Sequence, residues 1–138
     1  MGRTAEIIEF AKDIKKNWGA DPFAITERLG INVSFSSGLF PSAYTIKIPN
    51  YPTVIRISGC DTLRGRLVMC AHELGHALLH DDGVNLFSGT SKTIMNEVEY
   101  EANLFAVAFL FNEDDFNTSI ASMSNYTLKM ILDYNLPR

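Results

Sequence analysis

The strongest pattern in the chain is a two-sided helix over residues 63–80. At about 100° per residue, apolar side chains gather on one side of this segment and polar side chains on the other. The apolar stripe is Leu63, Leu67, Cys70, Leu74 and Leu78, and the polar side is His72, Glu73, His76 and His80. Such segregation predicts a helix that packs on a core. We expect Asp61 as its N-cap and residues 81–83 as its end.

A second helical run is predicted over residues 93–111. Its inward stripe is Met95, Val98, Ala102, Phe105, Ala106, Phe109 and Leu110, and residues 104–111 are apolar almost all round, which predicts burial. Glu99 lies at the border of the stripe, and Asn103 follows on the same face one turn later. Glu97 and Glu101 point further away, so we expect both to be solvated charges.

The other elements are shorter. We predict helices over residues 5–18 and 22–30, with Asp21 and Pro22 in the N-cap and N1 positions, and a final helix over residues 126–134. Strands are predicted over residues 31–36, 43–48 and 53–58. The fold class is therefore α+β, with a small antiparallel or mixed three-stranded sheet on a helical layer. An edge strand of this sheet could pair with an extended peptide.

Composition limits this fold to one domain. A chain of 138 residues with 46% hydrophobic content can bury one sizeable core. We expect a single domain over residues 1–138, divided into helices and sheet (1–60), the two-sided helix (61–80), the helix that carries Glu99 (93–111) and a short C-terminal helix (126–134). The net charge of −4 argues against direct nucleic-acid binding.

The environment of the chain can also be predicted from sequence. Its two cysteines, Cys60 and Cys70, fit no metal motif, and we expect both to be reduced. Neither a signal peptide nor a membrane-spanning run is recognisable. We therefore expect a cytoplasmic protein with no membrane association.

Candidate chemistry lies in the pentapeptide His72-Glu73-Leu74-Gly75-His76. Two imidazoles four residues apart on a helix occupy one face, at the separation that two ligands of one zinc ion require. Glu73 is placed to take a proton from a water molecule activated by that ion. The motif also occurs by chance, and the same residues could simply form the solvated face of an amphipathic helix.

A catalytic zinc ion normally keeps three protein ligands and one open position. The third ligand is either His80 or a carboxylate; we prefer Glu99 because His80 lies another turn along the helix. His80 and Asn103 are then second-layer residues that orient the ligands. Candidates for stabilising the oxyanion are Tyr44, Tyr126 and His80.

Small residues point to close contact between the two long helices. Gly75 on the first helix and Ala102 and Ala106 on the second would let the backbones approach, which Glu99 needs in order to reach an ion held by the first helix. Alanine is also simply a good helix former, and the two interpretations carry equal weight.

The two long helical segments read LRGRLVMCAHELGHALLH and NEVEYEANLFAVAFLFNEDDF. Together they resemble the ImmA/IrrE family of gluzincin-type metallopeptidases. The resemblance implies one zinc ion, with His72, His76 and Glu99 as ligands and Glu73 as catalytic acid/base. The sequence differs from the family pattern at Asn112, where the family usually has proline. The chain also ends earlier than many relatives, which carry a further and often regulatory region.

Family members act as site-specific proteases on helix-turn-helix repressors of mobile elements, prophages or stress responses. The resemblance therefore implies a zinc endopeptidase with a protein substrate of that kind. The alternatives are a non-catalytic zinc-binding anti-repressor and a module that sequesters a partner. The intact Glu73 argues against the sequestering module, because binding alone does not need it, and stoichiometric rather than catalytic inactivation of a partner would identify an anti-repressor.

Overall fold

The computed structural model describes residues 2–80, 83–84 and 92–134, and of residues 83–84 and 92–95 it describes only the backbone. Within these residues, five α-helices and four strands form the α+β arrangement that the sequence predicts. The helices are α1 (Arg3–Trp18), α2 (Pro22–Leu29), α3 (Leu63–Leu79), α4 (Lys92–Leu110) and α5 (Asn125–Tyr134). The strands are β1 (Asn32–Ser36), β2 (Ser42–Lys47), β3 (Val54–Ser58) and β4 (Gly83–Val84).

The sheet is mixed, one of the two forms expected, and its strand order is β1-β3-β2-β4. β1 runs parallel to β3, whereas β2 runs antiparallel to it from the Ser42–Ser58 pair to the Ile46–Val54 pair. The sequence did not predict the two-residue β4, which pairs with β2 at Ile46 and Lys47. Within the described residues, β2 is therefore paired on both sides only at its C-terminal end.

Helix α3 lies between the sheet and the other helices. Met69 and Cys70 pack toward the sheet with Ile55, Ile57 and Cys60. Val68, Ala71 and Leu74 pack on the other side, in the larger core that α1, α4 and α5 complete. The helix is therefore packed on two sides, and its functional side chains must lie in the narrow sector between those sides.

This arrangement corrects the predicted face of α3. Leu63, placed in the apolar stripe by projection, is 70% exposed, and Leu67 and Leu78 are only half-buried. Glu73 and His76, placed on the polar face, are buried. Projection assumes one buried side and one solvated side, and it fails for a helix that has a layer on each side.

The ends of α3 also differ from prediction. Its N-cap is Thr62 rather than Asp61, because the Thr62 side chain accepts a hydrogen bond from the Gly65 N–H at 3.1 Å. The helix ends at Leu79, with His80 as the C-cap. Of the predicted stop, residues 81–82 lie outside the described part of the chain.

Lys15 on helix α1 binds the C-terminal end of α4. The Lys15 ammonium donates to the main-chain oxygens of Ala108 and Phe111 at 3.1 and 2.8 Å, and to Asn112 Oδ1 at 3.2 Å. Asn112 then caps a short 3₁₀ turn over Glu113–Asp115, so it ends α4 without the family's proline. Among the helices described, none is both long and apolar enough to cross a membrane.

Candidate metal centre and active site

Helix α3 presents two imidazoles on consecutive turns. The Nε2 atoms of His72 and His76 lie 3.2 Å apart, with the rings nearly perpendicular. His76 is buried at 2% exposure, whereas the His72 side chain keeps 20% of its surface accessible. The pair therefore opens to the exterior on the His72 side.

Helix α4 brings Glu99 against the same two nitrogens. Its Oε2 lies 3.0 Å from His72 Nε2, and its Oε1 lies 3.2 Å from His76 Nε2. Bonds of about 2.0–2.1 Å to a tetrahedral zinc ion would hold two ligand atoms about 3.3–3.4 Å apart. The two nitrogens and the carboxylate thus form a triangle of nearly the size that one such ion requires, so these side chains fit the metal.

Close contact between the helices makes this triangle possible. A Cβ atom added at Gly75 would lie 3.2 Å from the Cα and the main-chain oxygen of Ala102, and 3.2 Å from Cδ1 of Phe105. Real Cβ atoms rarely approach other atoms so closely. Gly75 therefore allows the backbone of α4 to approach α3, which supports the first of the two interpretations of these small residues.

Glu73 is buried beside the triangle. Its Oε2 lies 3.8 Å from His72 Nε2, and its Oε1 accepts a hydrogen bond of 2.7 Å from the Thr45 hydroxyl on β2. One donor atom from each of His72, Glu73 and His76 falls within a 4.8 Å cluster that could hold a metal ion. The carboxylate thus lies close to the two imidazole nitrogens, and the Thr45 hydroxyl holds it from the side of the sheet.

Behind His76, a chain of side chains leads to the N-terminal helix. His76 Nδ1 lies 2.9 Å from His80 Nδ1, and His80 Nε2 lies 3.1 Å from Glu101 Oε1. The Arg3 guanidinium donates to both oxygens of Glu101, at 2.9 and 3.3 Å. If Nε2 of His76 binds an ion, its Nδ1 carries the proton and donates to His80, which in turn donates to Glu101. All four groups are then satisfied with His80 neutral.

Glu101 is therefore not the solvated charge that projection predicted. Burial acts to raise the pKa of Glu101, but its ion pair with Arg3 and its hydrogen bond with His80 lower it. Projection along α4 could not reveal this, because Arg3 lies at the other end of the sequence. Glu97 is exposed, as expected.

Asn103 connects the site to α5. Its side chain is buried, donates to Asn125 Oδ1 at 2.8 Å, and acts to raise the pKa of His72. This interaction is consistent with the orienting role predicted for Asn103. Asn125 was not singled out by the sequence, because nothing in its local pattern shows that α5 returns to the site.

The site has the electrostatics of a cation site. Burial disfavours the charged form of His72, but Glu99, Glu73 and Asn103 together outweigh this effect and raise its pKa. Burial likewise acts to raise the pKa of Glu99, yet the hydrogen bonds with His72 and His76 hold it well below its usual range. The carboxylates thus stabilise positive charge at the position that the two imidazoles face.

An open cleft of about 410 Å³ adjoins these groups. Its floor includes His72, Glu73 and Glu99, one wall comes from the start of β2, and the other comes from α5. The wall residues are Pro41 and Ala43 on the β2 side, and Asn125, Lys129, Leu132 and Asp133 on the α5 side. A cleft between a strand and a helix can admit an extended chain.

The sequence matches the IrrE N-terminal-like domain (Peptidase_M78) over residues 26–135. The chain belongs to this peptidase family. No curated protein and no solved structure matches it, so the assignment rests on the domain match. Membership in the Peptidase_M78 family confirms the resemblance read from the two helical segments and supports a metallopeptidase-type function.

Within this Peptidase_M78 domain, the structure brings together His72, Glu73, His76, Glu99 and Asn103. His80 lies on the other side of the His76 ring, away from the Nε2 atoms, so it does not share their position. The individual roles of these residues stay predictions.

The oxyanion candidates lie elsewhere. Tyr44 points from β2 in the direction opposite to the buried Thr45, and Tyr126 is 73% exposed. Neither is among the residues that line the cleft. Thr45, like Asn125, was not singled out by the sequence. Its only signal was its place directly after Tyr44 on a strand, where neighbouring side chains point to opposite faces.

Proposed function

We propose that this chain is a zinc-dependent endopeptidase that acts in the cytoplasm on a helix-turn-helix repressor of a mobile element, prophage or stress response. The observation that carries the proposal is the triangle of His72, His76 and Glu99 donor atoms with the Glu73 carboxylate beside it. Peptidase_M78 membership supports the reaction class.

The reaction assigns separate tasks to these groups. His72, His76 and Glu99 would hold the zinc ion, which when bound polarises the scissile carbonyl and lowers the pKa of water toward neutrality. Glu73 accepts the proton of the attacking water and passes it to the leaving amine. Burial of Glu73 and His76 keeps bulk water away from these groups, which strengthens their electrostatic interactions.

Substrate binding would use β2. Residues 42–45 of this strand lead into the cleft, and in the described part of the chain no strand pairs with their outer edge. An extended peptide could therefore add to the sheet beside Ala43 and reach Glu73 with its scissile bond. Because such pairing uses main-chain groups in the middle of a substrate, it favours endopeptidase over exopeptidase activity.

The proposed substrate class rests on the family resemblance, with support from charge. The chain carries a net charge of −4, whereas DNA-binding domains are basic. Opposite charges would accelerate encounter between protease and repressor, an effect that weakens with added salt.

The test is cleavage of the helix-turn-helix protein encoded by a neighbouring gene, with products identified by mass spectrometry. The zinc-loaded chain should cut it catalytically. Glu73→Gln should abolish cleavage while one zinc ion per chain remains bound, and Glu97→Gln, an exposed glutamate outside the site, should behave like the parent.

Two other results would contradict the proposal. Cleavage retained in Glu73→Gln would show that this carboxylate is not the base. Inactivation of the repressor in a one-to-one ratio without new peptide products would instead support the partner-sequestering alternative.

A further inference from the structure

The Thr45 side chain occupies a position where strand β2 faces α3. It is 1% exposed, and its β3 neighbour in the sheet register is the fully buried Ile55. The same strand turns Ala43 toward the cleft and leaves Tyr44 on the outer face. At such a site a valine of the same shape would pack equally well, so the hydroxyl must be explained by what it bonds.

The hydroxyl has two acceptors, both on Glu73. Oγ1 lies 2.7 Å from Glu73 Oε1 and 3.2 Å from the Glu73 main-chain oxygen. A hydroxyl donates one proton, and the shorter distance to the charged acceptor falls in the range of a charge-assisted hydrogen bond. A buried hydroxyl without a partner is costly, so this bond also satisfies Thr45.

We propose that Thr45 is a positioning residue for the proposed peptidase reaction: its hydroxyl holds Oε1 of Glu73 so that Oε2 faces the attacking water. The inference rests on the proposed function. Oε2 lies 3.8 Å from His72 Nε2, on the side of the ligand triangle, while Oε1 is tied to the sheet. Thr45 does not touch the substrate; it acts through Glu73.

The position of the Glu73 carboxylate matters because Glu73 could also act as a metal ligand. Its carboxylate belongs to the cluster that could hold a metal ion, so a freely rotating Glu73 could itself become a ligand. A carboxylate bound to the ion would be unavailable as a base. The hydrogen bond from Thr45 to Oε1 would therefore hold Glu73 beside the position of the ion and disfavour its use as a ligand.

The experiment compares Thr45→Val, which keeps the shape and removes the hydroxyl, with Thr45→Ser, which keeps the hydroxyl. With a peptide spanning the cleavage site of the parent, Thr45→Val should lower kcat about 10- to 100-fold, as expected for loss of a hydrogen bond to a charged group. KM and zinc content should stay unchanged, and Thr45→Ser should restore most of kcat. Thr53→Val is the matched control for loss of a threonine hydroxyl outside the site.

Several outcomes would overturn the inference. They are an unchanged kcat in Thr45→Val, a change confined to KM, loss of zinc from that variant, and a Thr45→Ser variant as slow as Thr45→Val. The melting temperature of each variant separates these outcomes from unfolding.

A second readout does not need catalysis. In the cobalt-loaded protein, Thr45→Val should alter the visible absorption as Glu73 turns to coordinate the ion, and Thr45→Ser should match the parent. If the parent cleaves nothing, the proposed function fails, while this comparison still decides whether Thr45 holds Glu73. Identical spectra for all three proteins would then overturn the inference.

Discussion

The Nδ1 atoms of His76 and His80 lie 2.9 Å apart, so the second imidazole of the pentapeptide is held from behind by the next histidine along the helix. His80 is in turn bonded to Glu101, which is paired with Arg3. Burial is the main reason that the pKa of His80 is lowered, which favours the neutral ring needed to accept a hydrogen bond from His76 Nδ1. A residue near the start of the chain is thereby linked to a candidate metal ligand.

Glu101→Gln tests this connection. Removing the charge behind His80 should weaken zinc binding about 10- to 100-fold, the usual effect of changing a residue that orients a ligand. Competition with a chromogenic chelator measures the Kd. In a His80→Ala background the same substitution should have little further effect, because Glu101 acts through His80. Additive losses in the double variant would show that Glu101 and His80 act separately.

Glu99→Ala tests the third ligand. It should remove most of the zinc affinity and all activity, because the two imidazoles alone leave the ion with an incomplete set of ligands. Glu97→Ala, two residues earlier and exposed, should leave both unchanged. Metal analysis of the purified variants measures the difference. A Glu99→Ala protein that holds one zinc ion as tightly as the parent would require a different third ligand.

Gly75→Ala tests the contact between α3 and α4. The added methyl group would meet the Ala102 backbone at 3.2 Å, and backbone atoms cannot move aside cheaply. We expect a net loss of about 1–2 kcal/mol in unfolding free energy from overpacking, despite the better helix propensity of alanine. Urea denaturation measures it. Gly38→Ala, where the new Cβ would make ordinary contacts from 3.5 Å outward, is the control.

Lys15→Met tests how α1 is fastened to α4. The substitution keeps much of the aliphatic stem but removes the donor shared by the oxygens of Ala108, Phe111 and Asn112. Loss of a charged donor at a helix C-terminus should lower the unfolding free energy by about 1–3 kcal/mol. Lys16→Met, at the exposed neighbouring position, should change it by less than about 0.5 kcal/mol. Equal effects in thermal or urea unfolding would contradict this role.

Cys70 should lower the free energy of unfolding at alkaline pH. Burial, with smaller effects from Asp21 and Glu73, raises the pKa of this thiol to about 12, from an ordinary value of 9.0. Between these values the unfolded chain has released a proton that the folded chain keeps, so stability falls as pH rises above 9. From pH 8 to pH 10 this contribution is roughly 1 kcal/mol.

Urea unfolding of the metal-free parent and of Cys70→Ala at both pH values measures this effect. The variant lacks the thiol, so its stability should fall less between pH 8 and pH 10. An equal fall in both proteins would show that other groups cause it. Cys70 should also react with thiol reagents only after unfolding, because it is fully buried.

The sequence predicted what is encoded locally. The spacing of His72 and His76 predicts their common face, and the position of Glu99 beside the apolar stripe predicts that it faces the neighbouring helix, because both follow from helix geometry alone. The fold class and the helices followed from periodicity in the same way. These inferences needed no knowledge of which elements pack together.

What was missed depends on contacts between distant segments. Glu101 was judged solvated because its partner Arg3 lies 98 residues away in sequence. Thr45 was overlooked because only the packing of β2 on α3 brings it to Glu73. Leu63 was placed in the core because one helix was assumed to have one buried side. Each of these depends on the tertiary arrangement, which a single sequence does not reveal.

Gly75 has a consequence for when the protein can acquire its ion. Two of the three candidate ligands are on α3, and the third reaches them only after α4 has docked against Gly75. A chain whose helices are still apart lacks Glu99 at this position, and the groups of α3 alone would capture a metal more weakly. Metal capture would thus be delayed until the chain is compact, and the ion would then join two segments of sequence as a crosslink.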